Sequence, residues 1–203
     1  MQWNGPGGEW SQAEVFAGQA HTALRQARLE ESYLTPLVCA VQARTALHRG
    51  DVPTARRVLV SAQRVRPLLT YALPYLAVQA SIELARAHLA LADLQGARTL
   101  MREIDELLRR RPGLGTLASE ARALRDQLSR ERGSNTPGPS ALTAAELRLL
   151  PMLCTHLSFP EIAAEIFLSR YTVKSQAFSI YRKLGVSSRS QAVAQARDLG
   201  LLE

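Results

Sequence analysis

Lys174, Ser175 and Phe178 stand at i, i+1 and i+4, a spacing that gathers three side chains on one patch of a helix. A lysine ammonium donates to guanine O6 or N7, or to a phosphate oxygen. A serine hydroxyl reads several base edges, and an outward phenylalanine contacts thymine methyls. The chemistry these side chains share is recognition, not bond making. Their surroundings agree. Between Glu165 and Asp198 there is no acidic residue, whereas Arg170, Lys174, Arg182, Lys183, Arg189 and Arg197 all fall there. A stretch from which acids are excluded suits a polyanionic surface.

Four helical segments must position this patch. Thr143 caps the first, with Glu146 at capping-box spacing and Leu147, Leu150 and Leu153 as its apolar stripe. Ser158 caps a short second helix, with Pro160 in its first turn, Glu161 completing another box, and Ile162, Ala163 and Ile166 facing inward. Phe167, Leu168 and Ser169 form a break. Ser169 caps the third helix, whose inner stripe is Val173, Ala177, Ile180 and Leu184. Removing that stripe leaves Tyr171, Lys174, Ser175, Phe178 and Arg182 outside. Gly185 ends the helix as a C′ glycine does. Ser188 starts the fourth, with Ala192, Val193 and Ala196 as its stripe. Two short helices separated by a tight break form a helix-turn-helix, whose second helix enters a major groove N-terminal end first.

The stretch from Leu142 to Leu202 closely resembles the LuxR-type helix-turn-helix domain. The motifs that carry the resemblance are EIA at Glu161 to Ala163, LS at Leu168-Ser169, TVK at Thr172 to Lys174, KLGV at Lys183 to Val186, SSR at Ser187 to Arg189, and AVAQARDLGLL near the end. The resemblance implies a four-helix DNA-binding domain of a bacterial transcription regulator. Its partners would be double-stranded DNA and RNA polymerase. The family's groove-facing positions fall on Lys174, Ser175 and Phe178, with Thr172 and Arg182 near the backbone. Ser169, Arg170 and Lys183 complete the expected DNA-contacting set. Glu146 and Arg189 match a pair that ties the first helix to the loop before the last. With Glu161, Val173, Ile180, Leu184 and Gly185 they form the expected structural support. The chain departs from the family pattern at Ala145, His156, Phe159-Pro160, Gln176 and Phe178.

Upstream, SRERGSNTPGPSA, Ser129 to Ala141, is dense in Gly, Pro, Ser and Asn and reads as a linker. The expected division is a flexible N-terminus over 1–10, a helical-repeat domain over 11–132, a linker over 133–140 and the DNA-binding domain over 141–203. Net charge is +7, of which residues 140–203 carry only +2, seven Lys or Arg against five Asp or Glu. The basic character of the small domain is therefore local, not diffuse.

The repeat domain reads as helical throughout, which makes the whole chain all-α. SQAE at Ser11 to Glu14 predicts a helix running to about Glu31. Others follow over about 35–49, from Asp51 to before Pro67, and over about 71–91, 94–110 and 114–131. ARTALHRGDVPTARRVL from Ala43 aligns with ARAHLALADLQGARTLM from Ala85, pairing Ala43 with Ala85, Arg44 with Arg86, Asp51 with Asp93 and Ala55 with Ala97. The pattern resembles antiparallel tetratricopeptide-type hairpins, and more loosely the C-terminal repeats of large ATP-dependent LuxR-type regulators. Such repeats would serve a protein or small-molecule effector.

Nothing in the chain suggests an enzyme. It has no GxxxxGK[ST], HExxH or GxSxG, and its histidines and cysteines lack metal-ligand spacing, so no cofactor or metal is expected. His21, His48 and His88 read as helix-surface or helix-end residues, Glu30-Glu31 and Glu103 to Glu106 as solvated faces, RRRP at 109–112 as a basic helix end, and Cys39 and Cys154 as buried thiols. No apolar run spans a membrane and the first residues do not form a signal peptide, so a cytoplasmic place is expected. Gln191, Ala194, Gln195 and Asp198 form a small, nearly uncharged side of the last helix, suited to a weak homodimer strengthened on DNA. The rival reading is a helical-repeat adaptor whose C-terminal domain binds protein instead.

Overall fold

Two turns of identical design organise the first part of the chain. The computed structural model describes residues 8–131 and 142–202, so the whole of the expected linker over 133–140 lies outside the described residues, as do residues 1–7 and 203. Six helices precede residue 131: α1 (Gly8–Gln26), α2 (Thr35–His48), α3 (Val52–Val65), α4 (Pro74–Ala90), α5 (Leu94–Arg110) and α6 (Thr116–Arg130). Asp51 starts α3 by accepting the Thr54 N–H at 3.1 Å, and Asp93 starts α5 by accepting the Gly96 N–H at 2.9 Å. One residue earlier in each case the backbone is left-handed, at Gly50 (φ 77°) and Ala92 (φ 57°). The N–H groups of Asp51 and Asp93 then close onto the carbonyls of Ala46 and His88, both at 2.9 Å. The turns that join α2 to α3 and α4 to α5 thus share one geometry.

Small residues let these hairpins approach closely. Ala43, Ala55, Ala85 and Ala97, two matched pairs of the repeat, have no exposed surface. Leu59, Val78, Ile82, Leu100, Ile104, Leu117 and Leu124 fill the space between them. The matched arginines do matched work. Arg44 on α2 pairs with Glu83 on α4, and Arg86 on α4 reaches Glu120 on α6 at 2.9 Å. Cys39 is buried as expected, and burial pushes its thiol up to about 11, leaving it unreactive at neutral pH.

The first helix departs from the reading at both ends. Ser11 does not open it, because α1 begins at Gly8 and Trp10 already stacks on His48 with ring centroids 4.5 Å apart. Three residues of the expected flexible start are therefore helical. The helix ends at Gln26, short of Glu31. Arg28 turns left-handed (φ 55°), and the Leu29 N–H reaches back to the Leu24 carbonyl at 2.8 Å.

Residues 142–202 build a second core from α7 (Ala144–Leu149), a 3₁₀ segment (Leu150–Cys154), α8 (Phe159–Glu165), α9 (Arg170–Leu184) and α10 (Arg189–Asp198). Among the described residues there is no strand. Pro151 offers no N–H, and the chain tightens into the 3₁₀ turn there. Three residues per turn put Leu150 and Leu153 inside and Cys154 outside. Cys154 is accordingly exposed, contrary to the expected buried thiol.

The two cores meet at a buried arginine. Arg66 is 1 % exposed, in the 3₁₀ turn after α3. Its guanidinium donates to Gln63 at 2.6 Å and to the backbone carbonyl of Leu142, and lies 3.7 Å from Glu103. Glu103 in turn accepts the Ala144 N–H at 2.8 Å, so it is not the solvated face residue the sequence implied. His88 is likewise buried rather than on a surface. Its Nδ1 is 2.9 Å from Asp93 and its Nε2 is 3.2 Å from Gln63.

Candidate nucleic-acid interface

Ser169 sets the start of α9. Its hydroxyl accepts the Thr172 N–H at 3.0 Å and lies 2.8 Å from the Thr172 hydroxyl, so both side chains are engaged at the helix end. The preceding break depends on Phe167. This residue is left-handed (φ 54°) and 94 % exposed, and the Leu168 N–H returns to the Ala163 carbonyl at 2.9 Å. Glycine normally takes such a place because it has no Cβ to clash. His156, one of the departures from the family pattern, is not among the residues with positive φ.

The inner side of α9 is Val173, Ala177 and Ile180, all fully buried, with Leu184 half-buried behind them. Tyr181 is buried too, which the apolar spacing alone did not indicate. Burial raises its phenol above the ordinary value, against the opposing charge of Arg189. Gly185 closes the helix in the left-handed conformation (φ 70°), and the Val186 N–H returns to the Tyr181 carbonyl at 2.9 Å.

The outer side brings together four of the eight expected contact residues, Lys174, Ser175, Phe178 and Arg182. Tyr171, Lys174, Ser175, Phe178, Ser179 and Arg182 line one open concavity of about 650 Å³. Tyr171 is 82 % exposed and Phe178 is 53 % exposed. Arg170 is exposed at the N-terminal end and Thr172 is half-buried against its cap. Phe178 meets Tyr181 edge to face, with centroids 5.7 Å apart and planes at 77°. The Lys174 ammonium lies 5.9 Å from the Phe178 ring centroid. Among the described residues that line it there is no carboxylate, and Lys174 and Arg182 supply its positive charge.

Lys183 is not part of it. Its ammonium donates to the Glu146 carboxylate at 2.6 and 2.9 Å, and both side chains are largely buried. Burial pulls the Glu146 carboxyl up. Hydrogen bonds from Lys183, the Thr143 backbone and Ser179 outweigh it and hold the group below the usual carboxylate range. Glu146 also closes the capping box, accepting the Thr143 N–H at 2.7 Å. The resemblance had matched Glu146 with Arg189, and these do not meet. Arg189 instead spreads its planar fork over four carbonyls of the turn before α8: Leu153 at 2.9 Å, Leu157 at 2.6 Å, Met152 at 3.1 Å and Thr155 at 2.7 Å. A fixed cation at the carbonyl end of the 3₁₀ segment satisfies groups that the tight turn strands. Glu161 accepts the Ser158 N–H and hydroxyl at 2.7 and 2.6 Å, and those bonds lower its carboxyl.

Elsewhere, among the described residues, no group of three or more His, Cys, Asp or Glu could hold a metal ion, and no helix is long and apolar enough to cross a membrane.

The family match falls on this same region. Residues 140–196 match the family described as bacterial regulatory proteins, luxR family. The spore germination protein GerE of Bacillus subtilis is 39 % identical over 62 residues, which cover 84 % of that protein and 30 % of this chain. The probable transcriptional regulatory protein NarL of Mycobacterium tuberculosis is 40 % identical over 67 residues, 33 % of this chain and 31 % of NarL. The chain thus spans under a third of that relative's length. The transcriptional regulatory protein YdfI of Bacillus subtilis is 31 % identical over 135 residues, 66 % of this chain and 61 % of YdfI. No solved structure matches the chain significantly.

Proposed function

We propose that this chain, which belongs to the luxR family of bacterial regulatory proteins, regulates transcription by binding duplex DNA sequence-specifically through α9 in the major groove. One observation carries this reading. The outward side of α9 presents Lys174, Arg182, Ser175 and Phe178 in one concavity with no carboxylate among them. Arg170 and Thr172, at the N-terminal end of α9, serve the flanking phosphates together with the backbone there. Glu146, Arg189 and Glu161 act from behind, by fixing α7, the turn before α8 and α8 itself. Lys183 belongs with them, as the partner of Glu146.

The α1–α6 array is read as a tetratricopeptide-like module for a protein or small-molecule effector, with RNA polymerase among the partners of the whole chain. Pairing through α10 would double the footprint. Gln191, Ala194 and Asp198 are exposed there. Sedimentation on a duplex with two half-sites tests it. A stoichiometry of two chains that Ala194→Glu reduces to one is expected, and one chain per duplex at all protein concentrations rules pairing out.

The decisive experiment for DNA binding is a titration of the purified chain on duplex DNA at several salt concentrations. A log–log slope of about −0.9 per neutralised phosphate is expected. No retention even at low salt would refute the reading and favour the protein-binding adaptor.

A further inference from the structure

We infer that Phe178 reads a thymine 5-methyl group within about two base-pair steps of a guanine read by Lys174, so that a methyl-bearing pyrimidine at that position strengthens binding to the target. The inference rests on the DNA-binding reading above and adds the chemistry of what is bound.

Phe178 is more than half exposed on the outer side of α9, whereas Val173, Ala177 and Ile180 already fill the inner side. The ring is therefore not a core residue displaced outward. It is also not loose. Tyr181, which is buried, meets it edge to face at 5.7 Å, and the Lys174 ammonium lies over it at 5.9 Å. Edge-to-face packing and cation–π attraction each favour one ring position over a free rotor. A ring held in that way offers a fixed apolar surface to a major groove. There the 5-methyl of thymine is the apolar group that base pairs present. Polar base edges would lose hydrogen bonds to water against such a surface, so a phenylalanine selects against them as well as for the methyl.

The same geometry couples the two readers. Lys174 and Phe178 are one helical turn apart, about 5–6 Å between their Cβ atoms, and successive base pairs rise about 3.4 Å. One ring thus supplies the methyl contact and steadies the ammonium that donates to the neighbouring guanine.

The test begins with duplexes enriched from a random library by the purified chain. Each thymine of the enriched duplex is replaced singly by deoxyuridine, which deletes the methyl and nothing else. One position is expected to weaken binding about fourfold, from about 0.8 kcal/mol per buried methylene-sized group. Phe178→Ala is expected to abolish that sensitivity, and Phe178→Leu, still apolar, to keep it. Replacing the same thymine by cytosine weakens binding, and 5-methylcytosine there restores part of it. A flat deoxyuridine scan with the wild type, or an unchanged penalty in Phe178→Ala, overturns the inference while leaving DNA binding standing. Failure to enrich any duplex overturns the DNA-binding reading itself, and this inference with it.

Discussion

Replacing Arg66 by methionine tests whether the two cores behave as one unit. Methionine keeps an unbranched apolar stem and has no charge. It strands the Leu142 carbonyl, whose residue is fully buried, at a cost of about 1–3 kcal/mol. It also removes the cation 3.7 Å from Glu103, a gross attraction of about 4–5 kcal/mol at an effective dielectric of about 20. Two effects offset this. The desolvation of Arg66, which itself pulls the guanidinium down against the pull of Glu103 and Glu146, no longer has to be met. Glu103 is 24 % exposed and keeps the Ala144 N–H, so water and backbone share its charge. The net loss should be about 2–4 kcal/mol. In urea, with a slope of about 2 kcal/mol per molar, the midpoint of the far-ultraviolet dichroism transition falls by about 1–2 M. Glu103→Gln retains an oxygen for Ala144 and removes the stranded charge. In the double variant it should recover part of the loss, a coupling of about 0.5–3 kcal/mol. An unfolding free energy within about 0.5 kcal/mol of wild type, or strict additivity of the two substitutions, would refute the idea that Arg66 joins the cores.

Three further outcomes are expected. Lys174→Ala should weaken specific DNA binding by about 1–3 kcal/mol with the fold intact by circular dichroism, and an unchanged mobility-shift titration counts against its role. Glu146 has a folded pKa below its ordinary 4.5, so the stability it contributes is present above that value and lost as pH falls through the lowered one. The gap in unfolding free energy between wild type and Glu146→Gln should therefore shrink on acidification below pH 4.5, and a gap constant with pH dismisses the ion pair with Lys183 as its source. Phe167→Gly should raise stability by roughly 0.5–1 kcal/mol. The left-handed backbone costs a side chain about 1–2 kcal/mol, glycine gives back part in chain entropy, and a ring 94 % exposed loses no packing. A lowered melting temperature would show that Phe167 contributes something other than strain.

The helices themselves were legible because their starts and stops are local. Asp51, Asp93, Thr143, Ser158, Ser169 and Ser188 announce their caps within three residues, and Gly185 its stop. Where a local signal competed with a neighbour it misled. Ser11 has the spacing of a capping box, but the stacking of Trp10 on His48 draws the helix start upstream. A left-handed arginine at 28 ended α1 where no glycine warned of it.

The outward side of α9 was legible for a related reason. Helical periodicity assigns every residue to a side, and an absence of acids is visible in one dimension. What each cation does there is not. Lys174, Arg182 and Lys183 look alike in sequence, yet Lys183 is consumed by Glu146, 37 positions upstream, because α7 crosses the C-terminal end of α9. The family resemblance matches Arg189 with Glu146 as a pair. The pairing fails because the 3₁₀ turn at Leu150–Cys154 leaves carbonyls that only a planar, five-donor side chain can gather. Charge identifies the candidates for an interface. Backbone groups stranded by the fold decide which of them are spent inside it, and only the remainder can reach a ligand.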